Sequence, residues 1–131
     1  MELCKLCTED KEREAGLVYS SFYWRVYGRI SDGIYQCEAI LKRHVTNPFH
    51  ISNAEREDGH EMRSKLYTFP ANTPYQVEKS VYHREPHLFL RVAFIEESDN
   101  SAHPCNPGIQ LMSDTERLQL FKDRLKEHLS S

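Results

Sequence analysis

Apolar side chains recur at three- and four-residue intervals along the first third of the chain. Val18, Tyr19, Phe22, Tyr23, Val26, Tyr27 and Ile30 form one such series, and Ile34, Cys37, Ile40, Leu41 and Val45 form a second. That spacing is the period of an α-helix. Thr8, followed by Glu9, Asp10, Lys11 and Glu12, adds an N-cap hydroxyl and acids suited to the positive end of a helix dipole. The pattern therefore predicts two N-terminal helices joined by a tight corner at Ser31-Asp32-Gly33. The same residues carry a competing reading. FYWRVYGRI has the composition of a strand, and the Ser-Asp-Gly turn would pair it with IYQCEAI as a hairpin. The helical reading is preferred because one period runs through both segments.

Periodicity vanishes over residues 46–64, TNPFHISNAEREDGHEMRS, which reads as a long loop and so as the first place to look for function. Short β-type runs follow, KLYTF, YQVEKSVY and HLFLRVAFI, separated by Pro70, Pro74 and Pro86. In the second run Val77 and Val81 are expected on one side and Gln76, Glu78 and Ser80 on the other. The nearly continuous apolar character of LFLRVAFI marks it as the central strand. A second turn-rich stretch, EESDNSAHPCNPGIQ, leads to the clearest helix in the chain. There Ser113-Asp114-Thr115-Glu116 fits a capping box, and Leu118, Phe121, Leu125 and Leu129 make an apolar stripe. The expected architecture is α+β, a single domain over residues 1–131. It has two N-terminal helices, a small and mainly antiparallel sheet of about three strands, and a C-terminal amphipathic helix packed on that sheet.

Composition narrows the class. A chain of 131 residues can bury a core without disulfide staples, and its seven Tyr, six Phe and one Trp compensate for an apolar fraction of only 39%. A net charge of −3 gives no global attraction to phosphate backbones. A nucleic-acid role would therefore need a local patch, of which Lys42-Arg43-His44 is the densest candidate. No apolar run is long enough for a membrane span or a signal peptide, and four unevenly placed cysteines do not make a secreted disulfide scaffold. A cytoplasmic protein with no membrane association is expected.

The candidate chemistry begins with Cys4 and Cys7, two thiols at the spacing of half a zinc site. His103 and Cys105 could supply the other half, making a structural Cys₃His zinc site; four unbound thiols, with Cys37 in the core, are the competing reading. A redox pair would need a preceding strand, which three residues before Cys4 cannot supply. His83-Arg84-Glu85 with Pro104-Cys105 resembles part of the zinc-deaminase ligand pattern, but Gly108 stands where its second cysteine belongs. His44, His50, His60, His83 and His87 could serve as proton carriers or metal ligands, although no hydrolase, phosphate-binding or dinucleotide motif accompanies them.

Trp24, Tyr27 and Arg25, residue types enriched in binding hot spots, are expected on the outer side of the first helix. Together with His50 and His60 of the 46–64 segment they form the candidate partner-binding set. The chain thus reads as a small non-catalytic interaction or regulatory protein that binds a protein partner. The alternative is a small metal-dependent hydrolase or nuclease using loop histidines and a Cys/His-bound zinc.

Overall fold

The computed structural model of the chain describes residues 16–71, 73–83, 88–96 and 112–130. The region expected to hold two helices is instead three antiparallel strands, β1 (Leu17–Ser20), β2 (Trp24–Ser31) and β3 (Ile34–Leu41). Ser31 pairs directly with Ile34, so β2 and β3 form a hairpin whose two-residue loop is Asp32 and Gly33. Their φ angles of 52° and 77° are the two successive positive values that a type I′ turn requires.

The helical spacing misleads here for a physical reason: β2 and β3 are interior strands with apolar burial on both faces. Trp24 and Val26 point to one side of β2 and Tyr27 to the other. On β3, Tyr35, Cys37, Ala39 and Leu41 oppose Glu38 and Ile40 in the same way, and all of these are buried. Burial on both faces erases the two-residue alternation that betrays a strand.

The 46–64 segment is not a long loop. It holds a 3₁₀ turn, Pro48–His50, and most of helix α1 (Asn53–Thr68). KLYTF, expected as a strand, is the end of that helix and its exit. The start of α1 is written in Ser52-Asn53-Ala54-Glu55. The Ser52 hydroxyl accepts from the Glu55 amide at 3.1 Å, and the Ser52 amide donates to the Glu55 carboxylate at 2.8 Å, a complete capping box. Met62 and Leu66 are the only apolar residues that α1 buries, too few to show as a stripe.

Strands β4 (Tyr75–His83) and β5 (Phe89–Glu96) and helix α2 (Asp114–Ser130) complete the fold. The five strands lie in the order β1-β2-β3-β5-β4, with every neighbouring pair antiparallel. The α+β class stands, but the described residues form five strands and two helices, one between β3 and β4 and one C-terminal, instead of two N-terminal helices and about three strands. β5 is interior and β3 is central. An irregularity between Val77 and Lys79 shifts the β4 register, so Val77 pairs with Phe94 and Val81 with Arg91, on opposite faces. The expected sharing of one face by Val77 and Val81 therefore fails.

Both helices pack on the same face. Phe121, Leu125 and Leu129 of α2 and Met62 and Leu66 of α1 join Tyr35, Val92 and Phe94 of the sheet in one core. The Phe121 ring is its hub, with centroids of Tyr35, Tyr75, Phe69 and Phe94 at 4.9, 5.4, 5.7 and 5.8 Å. A smaller buried cluster of Tyr27, Ile40 and Phe89 lies on the opposite face. Among the described residues no helix is long and apolar enough to cross a membrane.

Candidate partner-binding groove

Among the described residues the helices leave a strip of their face exposed along β4. β4 is an edge strand among the described residues, paired with β5 alone. After the fully buried Tyr75 its helix-side residues Val77, Ser80 and Tyr82 are all exposed. Between this strip and α1 runs a groove enclosing about 360 Å³. Trp24, Ile51 and Leu88 contribute apolar lining, while Phe49 and Tyr82, 86% and 49% exposed, stand at its rim. Past one end, the Tyr67 hydroxyl and Ser80 Oγ bridge α1 to β4 at 2.7 Å.

The α1 wall is basic. Arg56, His60 and Arg63 line the groove at four- and three-residue spacing, which places them on one side of the helix. Arg56 Nη1 donates to Asn53 Oδ1 at 3.2 Å, and Arg63 Nη2 approaches His60 Nδ1 at 3.4 Å. Among the described residues neither guanidinium has a carboxylate partner, and no acidic side chain lines the groove. Other arginines of the fold are committed: Arg43 to Glu55, Arg29 and Arg91 to Glu38, and Arg117 to Glu96.

A network centred on Glu55 holds the groove's walls in place. Arg43, just beyond β3, donates to the Glu55 carboxylate through Nη2 at 2.7 Å and Nε at 3.2 Å, and through Nη2 to the His50 carbonyl at 2.9 Å. The backbone carbonyl of Glu55 accepts from Trp24 Nε1 at 2.9 Å. One residue thereby ties together α1, the 3₁₀ turn, β2 and the end of β3. The Arg43 guanidinium, opposed by burial and helped by the Ser52 backbone, pulls the Glu55 carboxyl down to about 2. The indole lies against Gly59, where any Cβ would meet Trp24 Cζ2 at 2.8 Å. Glycine at this position lets α1 settle onto the tryptophan.

The candidate residues from the sequence are divided by this arrangement. Trp24 is buried under α1 and forms groove floor instead of an exposed patch. Arg25 and Tyr27 lie on the other face of the sheet, because one-residue steps along a strand alternate sides. His50 ends the 3₁₀ turn and takes part through its carbonyl, whereas His60 lines the groove. Cys4, Cys7, His103 and Cys105, the proposed zinc ligands, lie outside the described residues, as does His87. Among the described residues no three His, Cys, Asp or Glu side chains gather as a metal site. Phe49, Arg56, Arg63 and Tyr82 were not singled out by the sequence; the four- and three-residue spacing of the basic residues becomes a signal only once 53–68 is read as helix.

A larger hollow of about 670 Å³ lies at the β1–β2 connection, lined by Ser21, Phe22, Lys42, Asp58, Glu61 and Lys65 among others. Two of its polar groups already serve the fold. Asp58 accepts from Ser21 Oγ at 2.7 Å and the Tyr23 amide at 3.1 Å, and Lys65 bonds the Leu129 carbonyl at 3.1 Å. The smaller groove, with apolar floor and uncommitted cations, is the better candidate. No protein-family model matches the sequence, and no curated protein matches it significantly.

Proposed function

We propose that the protein is a non-catalytic interaction module that receives a segment of a partner protein in the groove between α1 and β4. The observation that carries this reading is the uncovered helix-side strip of an edge strand, rimmed by Phe49 and Tyr82 and floored by Trp24. A large side chain of the partner would leave water by seating on the apolar floor beside Ile51, Phe49 and Tyr82, and burial of one such side chain contributes roughly 1.5–3 kcal/mol. The exposed backbone of an edge strand also offers hydrogen bonds to an extended segment.

Selection from a random peptide library on the intact chain tests the reading. Enriched sequences should bind the wild type and lose binding to a Phe49→Ser/Tyr82→Thr variant that retains wild-type melting. Failure to enrich any peptide, or equal binding to that variant, would remove the groove as the docking surface.

A further inference from the structure

Resting on that reading, we infer that the groove selects an acidic partner segment, one carrying Asp or Glu side chains around a single large apolar anchor. Three observations converge on this chemistry. First, Arg56 and Arg63 flank the apolar floor without carboxylate partners among the described residues, whereas Arg29, Arg43, Arg91 and Arg117 each have one. A guanidinium presents a planar fork of donors that matches a carboxylate, so a pair without carboxylate partners on one helical face is suited to receive two acids. Second, no acidic side chain of the described residues lines the groove, so none of these opposes an anionic segment. Third, the floor of Trp24, Ile51 and Leu88 is apolar and sits between the basic wall of α1 and Tyr82 on β4. This layout asks for one apolar side chain bracketed by charges.

Nucleic acid is the other anionic partner that basic and aromatic residues can attract. The groove argues against it. Among the described residues only two arginines and one histidine line it, too few cations to track a phosphate backbone, and Trp24 is buried with its indole N–H spent on the Glu55 carbonyl instead of standing clear for a base to stack on.

The test is fluorescence anisotropy of the full chain with a labelled twelve-residue peptide of alternating Asp and Glu around one central Phe. Matched probes carry Ala in place of that Phe, or Gln in place of the acids, and a single-stranded oligonucleotide is run alongside. The Phe-acid peptide should bind, and its affinity should fall with added salt. Arg56→Gln/Arg63→Gln should weaken it at least tenfold, and the Ala probe should be weakened to a similar degree. Lys126→Gln, an exposed cation on α2, should leave binding unchanged.

Equal binding of the Gln probe, or an undiminished affinity in the double arginine variant, would overturn acid selection. So would a preference for the oligonucleotide. Enrichment of neutral peptides in the library selection would overturn acid selection while leaving the groove as a peptide site, whereas absence of any enrichment would remove both readings.

Discussion

Phe121 and Tyr82 are aromatic side chains on the same helix-bearing side of the sheet. Phe121 is fully buried at the hub of five rings, and Tyr82 is about half exposed. Hydrophobicity does not separate them; the reach of the helical layer does. α2 lies over β1 and β2 and packs beside α1, and beyond Tyr75 the helix-side residues of β4 stay exposed, with the Tyr67–Ser80 hydroxyl pair as a bridge from α1. Tyr75 at the start of β4 is part of the covered half, and Val77, Ser80 and Tyr82 along the same strand are not. The covered half is where stability resides, and the uncovered half is where binding is expected.

That division predicts opposite responses to substitution. Phe121→Ala, which empties the centre of the aromatic cluster, should cost about 3–5 kcal/mol in a urea or thermal unfolding measurement. A cost near zero would mean that α2 does not close the core.

Glu55→Gln comes next, at roughly 2 kcal/mol, because it removes the charge that holds the Arg43 fork and the capping box together. The sign with pH follows from the lowered carboxyl. The stability it contributes is fully present above the ordinary value of 4.5 and is lost as pH falls toward about 2. Wild-type stability should therefore decline over that window more steeply than that of the Gln variant. Parallel acid titrations of unfolding would show that the network does not exist.

How much of this was legible beforehand depends on how one-sided each element is. α2 buries a regular stripe of Phe121, Leu125 and Leu129 behind the Ser113–Glu116 capping box, and its position followed from the pattern alone. β2 and β3 are apolar on both faces, so their alternation is lost; the Asp32-Gly33 turn was the reliable sign and outweighs the apparent helical period. α1 fails in the opposite direction, since its polar surface hides a helix whose one strong marker is Ser52 with Glu55. The groove inherits both difficulties. Trp24 reached the candidate set as an exposed aromatic and is buried floor, and Arg56 and Arg63 become a pair only when α1 is helical. Phe49 and Tyr82 come from distant stretches that only the tertiary fold brings to one rim.

Gly59 lies where the two halves meet, and its substitution weighs two known effects against each other. Ala in place of Gly within a helix should gain about 1 kcal/mol. The added methyl, however, meets three atoms of the Trp24 ring at 2.8 to 3.2 Å. That ring is fixed by its bond to the Glu55 carbonyl and cannot yield cheaply, so overpacking of about 1–3 kcal/mol outweighs the gain. A net loss of about 1 kcal/mol is expected, together with altered indole fluorescence. A stabilised Gly59→Ala variant would mean that α1 does not rest on Trp24.

The smallest effect on folding is the most informative about the groove. Tyr82→Thr retains a β-branched residue suited to an edge strand and removes a ring that is already about half in solvent. Its change in unfolding free energy should stay within about 0.5 kcal/mol, while affinity for a groove-selected peptide drops at least tenfold. A comparable loss of stability would place Tyr82 with Phe121 in the covered half, and the contrast between the halves would fail at that residue. Unchanged stability with unchanged peptide affinity would leave the contrast in burial standing but remove Tyr82 from the binding surface, shifting the contact toward Phe49 and the basic wall of α1.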